Sequence, residues 1–415
     1  MTWDAATLGQ VVKRTGGLIQ TGPFGSQLHQ SDYVPDGIPV IMPKDISDGH
    51  VNADSVARVS TETANRLRRH QLNQRTIVLP RRGEITKRAF IRDDEAGWLC
   101  GTGCLQIELK GDELIPEFLY YYMEQQHIVA WLEQHAVGTT MLNLSAKIVA
   151  NLPLRFPSSP EQQRIAELLV AYDDLIENNR RRMTLLEQSA GQLYEEWFVR
   201  LRFPGHEHVP VSNGAPEGWQ PTEFTTACCS LEDGDWIETK DQGGEDYRLL
   251  QISNIGINEF IETNNFRYVT EETFKRLNCR EIVPGAILIS RMPTPIGRAW
   301  LVTPMPWRMI TAVDVAIAVA DKERADPYFL TYFLNSPTTL EHSQRRAVGA
   351  TRARIARREL ASLPIVLPPV SVQKNFRDLV QPINDQRAVL YRENTKLRMA
   401  RDLLLPRLMS GEIAV

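Results

Sequence analysis

The chain contains the same pattern twice, at a constant separation. PEFLYY (116–121) returns as PYFLTY (327–332), and AVGTT (136–140) returns as AVGAT (347–351). Leu152-Pro153 matches Leu363-Pro364, Pro157 matches Pro368, and Gln162 matches Gln373; each of these pairs is 211 residues apart. An ungapped offset over such a distance marks an internal duplication. Upstream the match loosens. IVLPRRG (77–83) pairs with ILISRMP (287–293) at 210, and VIMPKDI (40–46) with LQISNI (250–255) at 209. Two copies are too few for a solenoid. They imply a pseudo-dimer inside one chain, suited to a pseudo-symmetric ligand.

The back of each copy predicts a long helix. Over 160–200, Leu169, Tyr172, Ile176, Asn179, Met183, Leu186, Ala190, Leu193 and Trp197 recur in steps of three and four, which is a heptad seam. Pro160 fits a first turn, and Pro204-Gly205 ends the element. In the second copy, over 371–410, Ile383, Leu390, Leu397 and Leu404 fall seven apart, with Phe376, Val380, Asn394 and Leu408 nearby. Pro382 and Pro406 are expected to kink or fray that helix. Asn394 lies 211 residues after Met183 rather than after Asn179, so the two polar seam positions are not repeat equivalents. A helix of 40 residues is about 60 Å long and cannot bury its stripe alone. The repeat favours pairing of the two helices; an oligomerisation coiled coil is the alternative.

The front of each copy shows short β-type runs broken by Gly, Pro and Asn: IPVIM (38–42), TIVLP (76–80), CLQIEL (104–109), RLLQIS (248–253), AILIS (286–290) and VAIAV (315–319). This is the punctuation of a mixed globule rather than a βαβ ladder. The expected class is α+β: two globular mixed α/β domains separated by two long helices in an antiparallel coiled coil, with a pseudo-two-fold repeat. The expected segments are 1–157, 158–203, 204–368 and 369–415.

Two stretches are basic. Residues 75–92 hold Arg75, Arg81, Arg82, Lys87, Arg88 and Arg92 against Glu84, and residues 345–358 hold Arg345, Arg346, Arg352, Arg354, Arg357 and Arg358 with no acid. Arginine forks suit phosphates and guanine edges. Thr86, Thr139, Thr140, Gly349 and Thr351 add small groups suited to phosphate oxygens. In the turn TGPFGS (21–26), Gly22 and Gly25 permit close backbone approach. Ordinary ion pairing with the chain's carboxylates is the alternative. It has weight because the net charge is −4 and the pI about 6.1, while nucleic-acid binders are usually basic.

Other chemistry is sparse. No GxxxxGK[ST] loop is present, and no glycine-rich strand end suits S-adenosylmethionine. The eight histidines are scattered, and no catalytic or metal residue is assigned. Asp94 with Glu108 and Lys110 is the single nuclease-like spacing, and a stand-alone endonuclease is therefore an alternative. A scaffold that binds only protein is another. The five cysteines, Cys100, Cys104, Cys228, Cys229 and Cys279, lack zinc-finger spacing and read as reduced, buried thiols of a cytoplasmic protein. No apolar run is long enough for a membrane span, and the first residues do not read as a secretory signal.

Several stretches resemble the specificity subunits of type I restriction-modification systems over essentially the whole chain. They are TGPFGS (21–26), IVLPRRGEITKRA (77–89) with ILISRMPTPIGRA (287–299), LPLRFPSSPEQQRIA (152–166), LYEEWFVRLRFPG (193–205) and LLLPRLMSGEI (403–413). The second helix departs from the pattern by starting SVQKNF (371–376), and Pro293 and Pro295 stand where the family tends to have Gly or Ser. The resemblance implies a non-catalytic, phage-defence subunit with two target-recognition domains reading a bipartite DNA target. The helices would serve as spacer ruler and docking surface. The implied partners are double-stranded DNA, two methyltransferase subunits and two motor–nuclease restriction subunits. S-adenosylmethionine, ATP and Mg would lie on those partners, not on this chain. With the basic loops, this places Gly22, Phe24, Ser26, Lys44, Arg81, Arg82, Thr86, Lys87, Arg88, Thr139 and Thr140 of the first copy at DNA. In the second copy the candidates are Asn254, Arg291, Thr294, Arg298, Thr351, Arg352 and Arg354.

Overall fold

A computed structural model of the chain describes residues 3–47, 49–53, 56–138, 142–212, 214–263, 265–350 and 352–415. It divides into two compact units: residues 1–178 with 393–415, and residues 179–392. The expected linear segments are thus regrouped. The long helices are not separate domains, because each unit takes part of both.

Both units repeat one architecture. In the first, strands Leu18–Thr21, Cys104–Glu108, Ile77–Pro80 and Ala89–Phe90 form an antiparallel sheet in that order. A second sheet joins Leu99–Cys100, Ile38–Ile41, Ala57–Val59 and Tyr33–Val34, and Asp4–Thr7 pairs with Pro153–Phe156. In the second unit, Cys228–Asp233, Val315–Ala320, Ile287–Ser290 and Ala299–Leu301 take the same order as the first sheet. A three-stranded sheet and the pair Gln220–Glu223 with Pro364–Leu367 complete the parallel.

The first long helix runs Ser159–Tyr194 and ends in a π turn, Glu195–Val199; the second runs Val370–Met409 without a break. Pro382 and Pro406 therefore do not interrupt it. Both prolines are exposed, so the carbonyls they leave unbonded can face water, and burial on either side holds the helix. In the first unit, Leu169 and Ile176 are buried and Tyr172 is half-buried. Leu169 shares a core with Leu405, Leu408 and Met409, with Leu404 against it, while Leu397 is half-buried. Arg401 Nη1 donates to Asp173 at 2.5 Å, and Asn394 Nδ2 donates to the Ile176 carbonyl at 3.0 Å. As one helix advances the other recedes, so the pairing is antiparallel. In the second unit, Ala190, Tyr194 and Trp197 share a core with Phe376, Val380 and Ile383, and Leu193 packs against it. Asn179 and Leu390 are buried there, and Met183 and Leu186 are half-buried. Arg387, also buried, pairs with Glu187.

The repeat persists atom by atom in two buried glutamines. Gln162 accepts from Ile115 N at 2.9 Å and donates to the Glu113 and Pro157 carbonyls at 3.0 and 2.9 Å. Gln373 accepts from Asp326 N at 2.8 Å and donates to the Arg324 and Pro368 carbonyls at 3.1 and 2.8 Å. Each glutamine fastens the start of its helix to the loop ahead of an aromatic helix, Pro116–Tyr122 in one unit and Pro327–Asn335 in the other.

Candidate nucleic-acid interface

One end of the main sheet gathers the same loops in each unit. In the first, Gly22 N donates to the Cys104 carbonyl at 2.9 Å, Arg81 N to Gly103 at 2.6 Å, and Leu144 N to Arg81 at 2.8 Å. In the second, Gly234 N donates to Val315 at 2.9 Å, Arg291 N to Asp314 at 3.0 Å, and Ile355 N to Arg291 at 3.0 Å. Val137 and Asn143 exchange two backbone bonds, as do Val348 and Arg354. Arg81 and Arg291 are therefore structural equivalents. Gly22 is buried and required by packing, since a Cβ there would overlap the Gly101 carbonyl.

In the first unit, Phe24, Ser26, Lys44 and Arg82 are exposed, and the Arg81 guanidinium sits 5.7 Å from the centre of the Phe24 ring. Thr86 is half-buried, and Lys87 pairs with Glu84. In the second unit, Thr294 and Arg352 are exposed, and Arg354 Nε lies 3.0 Å from Asp314. Arg357 and Arg358 are exposed and line an open cleft of about 420 Å³ beside Asp233 and Arg291. Thr139, Thr140 and Thr351 lie outside the described residues.

Four expected DNA contacts are corrected by burial. Arg88 pairs with Glu124 and lies 5.1 Å over the Tyr120 ring, and burial lowers its pKa to about 10. Its repeat equivalent, Arg298, is 7% exposed. Arg298 donates to the carbonyls of Ile255 (2.5 Å), Ile252 (2.7 Å), Pro295 (2.8 Å) and Met292 (3.1 Å). Arg291 is 6% exposed; it donates to the Ile355 carbonyl at 3.0 Å and pairs with Asp233. Burial lowers the pKa of Arg291 and Arg298, but an arginine stays charged at neutral pH. These side chains brace the loops from behind, with no fork left to offer a base. Asn254 is buried and caps a turn, accepting from Gln251 N at 2.9 Å and donating to the Ile261 carbonyl at 3.0 Å. Asp45 caps the matching turn in the first unit through Met42 N, also at 2.9 Å.

The spacing Asp94, Glu108 and Lys110 does not make a metal centre. Asp94 is exposed in the turn Asp93–Glu95 and Glu108 ends a strand. Among the described residues no group of three His, Cys, Asp or Glu could hold a metal ion. Among the described residues no helix is long and apolar enough to cross a membrane. Cys100, Cys104 and Cys279 are buried thiols as expected, but Cys228 is partly accessible and Cys229 is exposed; both lie on the outermost strand of their sheet, which leaves one flank open.

Sequence reasoning missed one residue at this sheet end. Trp236 is 70% exposed and follows Gly234 by two positions, as Phe24 follows Gly22. The signal was Gly-x-aromatic at a separation of 212, one residue out of step with the helical part of the repeat.

Residues 2–188 match the model of the type I restriction modification DNA specificity domain. The specificity subunit of the type I restriction enzyme MjaIX from Methanocaldococcus jannaschii is 24% identical over 315 residues, covering 73% of this chain and 70% of that protein. The HindI specificity subunit from Haemophilus influenzae is 21% identical over 389 residues, covering 78% and 83%. The crystal structure of the type I restriction-modification S subunit from M. genitalium shares the fold, with a TM-score of 0.56, 15% identity and coverage of 98% and 96%. The first 188 residues thus carry the match to the specificity domain, and the relatives that resemble most of the chain's length are specificity subunits of type I restriction enzymes, which supports reading the chain as a subunit of that kind.

Proposed function

We propose that this chain is the non-catalytic subunit that gives a type I restriction-modification complex its sequence specificity, with each unit reading one half of a bipartite target in double-stranded DNA. The observation that carries this reading is the pair of matching loop clusters at the sheet ends, built on the same hydrogen bonds in both units. Arg82 and Lys44 in one unit, and Arg352, Arg357 and Arg358 in the other, are exposed cations suited to phosphates and base edges. The acidic net charge is compatible with local patches of this kind, with partner subunits supplying the rest of the electrostatic attraction. In this reading two methyltransferase subunits dock on the long helices, where Leu175, Leu185, Leu379, Met399 and Leu403 are exposed. Two motor–nuclease subunits complete the cytoplasmic assembly. S-adenosylmethionine, ATP and Mg belong to those partners.

The test is a matched insertion of one heptad in each long helix. Both half-sites should be kept while the unspecified spacer between them grows, as read from the methylated adenines of a host carrying the whole system. An unchanged spacer with intact methylation would overturn the ruler role. Methylation without any two-part target would overturn the bipartite reading itself.

A further inference from the structure

We propose that Phe24 and Trp236 are paired base-contacting residues, one aromatic ring pressed against the base pairs of each half-site of duplex DNA. This rests on the bipartite reading and adds the chemistry by which each unit meets its bases.

A single exposed apolar side chain is ordinary on a protein surface. Two at equivalent positions of a duplicated fold are a different observation. Phe24 is 55% and Trp236 is 70% exposed. Each follows by two residues a glycine that is clamped to the neighbouring strand: Gly22 N to Cys104 and Gly234 N to Val315, both at 2.9 Å. A Cβ at either glycine would overlap a carbonyl oxygen, of Gly101 in one unit and Ala312 in the other. The rest of the two loops has diverged: Pro23 faces Asp235 in the alignment, Gly25 faces Ile237, and Ser26 faces Glu238. The clamped glycine and the outward ring are what the two loops share. The clamp fixes where the ring stands, so less freedom is lost when it docks.

The surroundings favour DNA bases over a protein groove. Arg81 lies over the Phe24 ring at 5.7 Å, so a cation able to reach a phosphate flanks a face able to meet a base. On the other ring, Trp236 Nε1 donates to Glu238 at 3.4 Å, which orients the indole and leaves its faces open. An aromatic face can meet a thymine methyl or wedge against a partly opened base step. Neither contact demands one fixed hydrogen-bond pattern, and this suits loops that otherwise differ between the units.

The test uses the chain assembled with its methyltransferase subunits, the cognate duplex, and the variants Phe24→Ala, Trp236→Ala and Trp236→Phe. Each alanine variant should bind the cognate duplex about tenfold more weakly. The salt dependence of binding should not change, because no phosphate contact is removed. Trp236→Phe should restore most of the affinity. The two defects should map to different half-sites: once a half-site is scrambled, the variant facing it should bind no worse than wild type. Replacing half-site thymines by uracil separates the two contacts, since only a methyl contact loses affinity; a wedge is reported by 2-aminopurine fluorescence at the same step. Wild-type affinity in both alanine variants would overturn the proposal, as would an equal loss on unrelated DNA with a shallower salt slope. Failure of the bipartite reading would look different: the wild-type complex itself would show no half-site preference.

Discussion

Replacing Arg298 by alanine is expected to destabilise the second unit by about 2–4 kcal/mol, a large part of a typical domain's stability. The side chain is buried and bonded to four backbone carbonyls, those of Ile252, Ile255, Met292 and Pro295. These carbonyls come from two separate loops that no strand pairing joins at this point. The Ile252 carbonyl also accepts from Ile255 N at 3.2 Å and the Met292 carbonyl from Ser290 Oγ at 3.1 Å, so loss of the guanidinium orphans chiefly the Ile255 and Pro295 carbonyls, each carrying a desolvation penalty of about 1–3 kcal/mol before relaxation. Lysine is a poor substitute, because one ammonium group with three donors cannot span the planar fork that reaches both loops. Urea unfolding of the purified chain would read this as a fall in the midpoint of the transition that reports on the second unit. An unchanged midpoint for Arg298→Ala would show that the Ile255 and Pro295 carbonyls find other donors.

The buried glutamines should behave as two copies of one experiment. Gln162→Ala and Gln373→Ala each orphan one N–H and two carbonyls beneath a helix start. About 2–4 kcal/mol per site is expected. Because the sites lie in different units and share no partner, the double variant should lose the sum of the two effects. A glutamate at either site keeps one acceptor but loses the two donated bonds, and should rescue little. Thermal unfolding followed by tryptophan fluorescence would check the size, and strong non-additivity would contradict the independence of the two networks.

The helices and the duplication were the legible part of this chain because both are statements about spacing. Seam residues from Leu169 to Trp197 and from Phe376 to Leu408 must recur at helical intervals to be covered, and that recurrence is visible in letters alone. Charge was harder to read. A row of arginines shows how many cations a segment carries but not which way they turn. Arg82 and Arg352 reach solvent, while Arg88, Arg291 and Arg298 turn inward and find carbonyls or carboxylates far away in sequence. Asn254 misled for a related reason: a side chain suited to adenine is equally suited to capping a turn. The prolines at 382 and 406 warned of a break that tertiary packing overrode. Trp236 escaped because the separation of the two copies drifts along the front half, 212 residues at this loop against 209 and 210 at the strands that follow, and only the shared strand-end hydrogen bonds restore the correspondence.

The division of the chain has a consequence for its synthesis. The second unit is one continuous run, residues 179–392, whereas the first is completed only by residues 393–415. During translation residues 1–178 leave the ribosome first and must wait, with Leu169 lacking Leu405 and Leu408 and the Ile176 carbonyl lacking Asn394, until residues 393–415 emerge. The later-made unit has all its residues sooner and is expected to acquire protease resistance first, against the usual front-to-back order of multidomain chains. Ribosome-stalled chains ending near residue 392, tethered by a linker long enough to clear the exit tunnel, would display that inverted order; early protection of residues 1–178 would refute it.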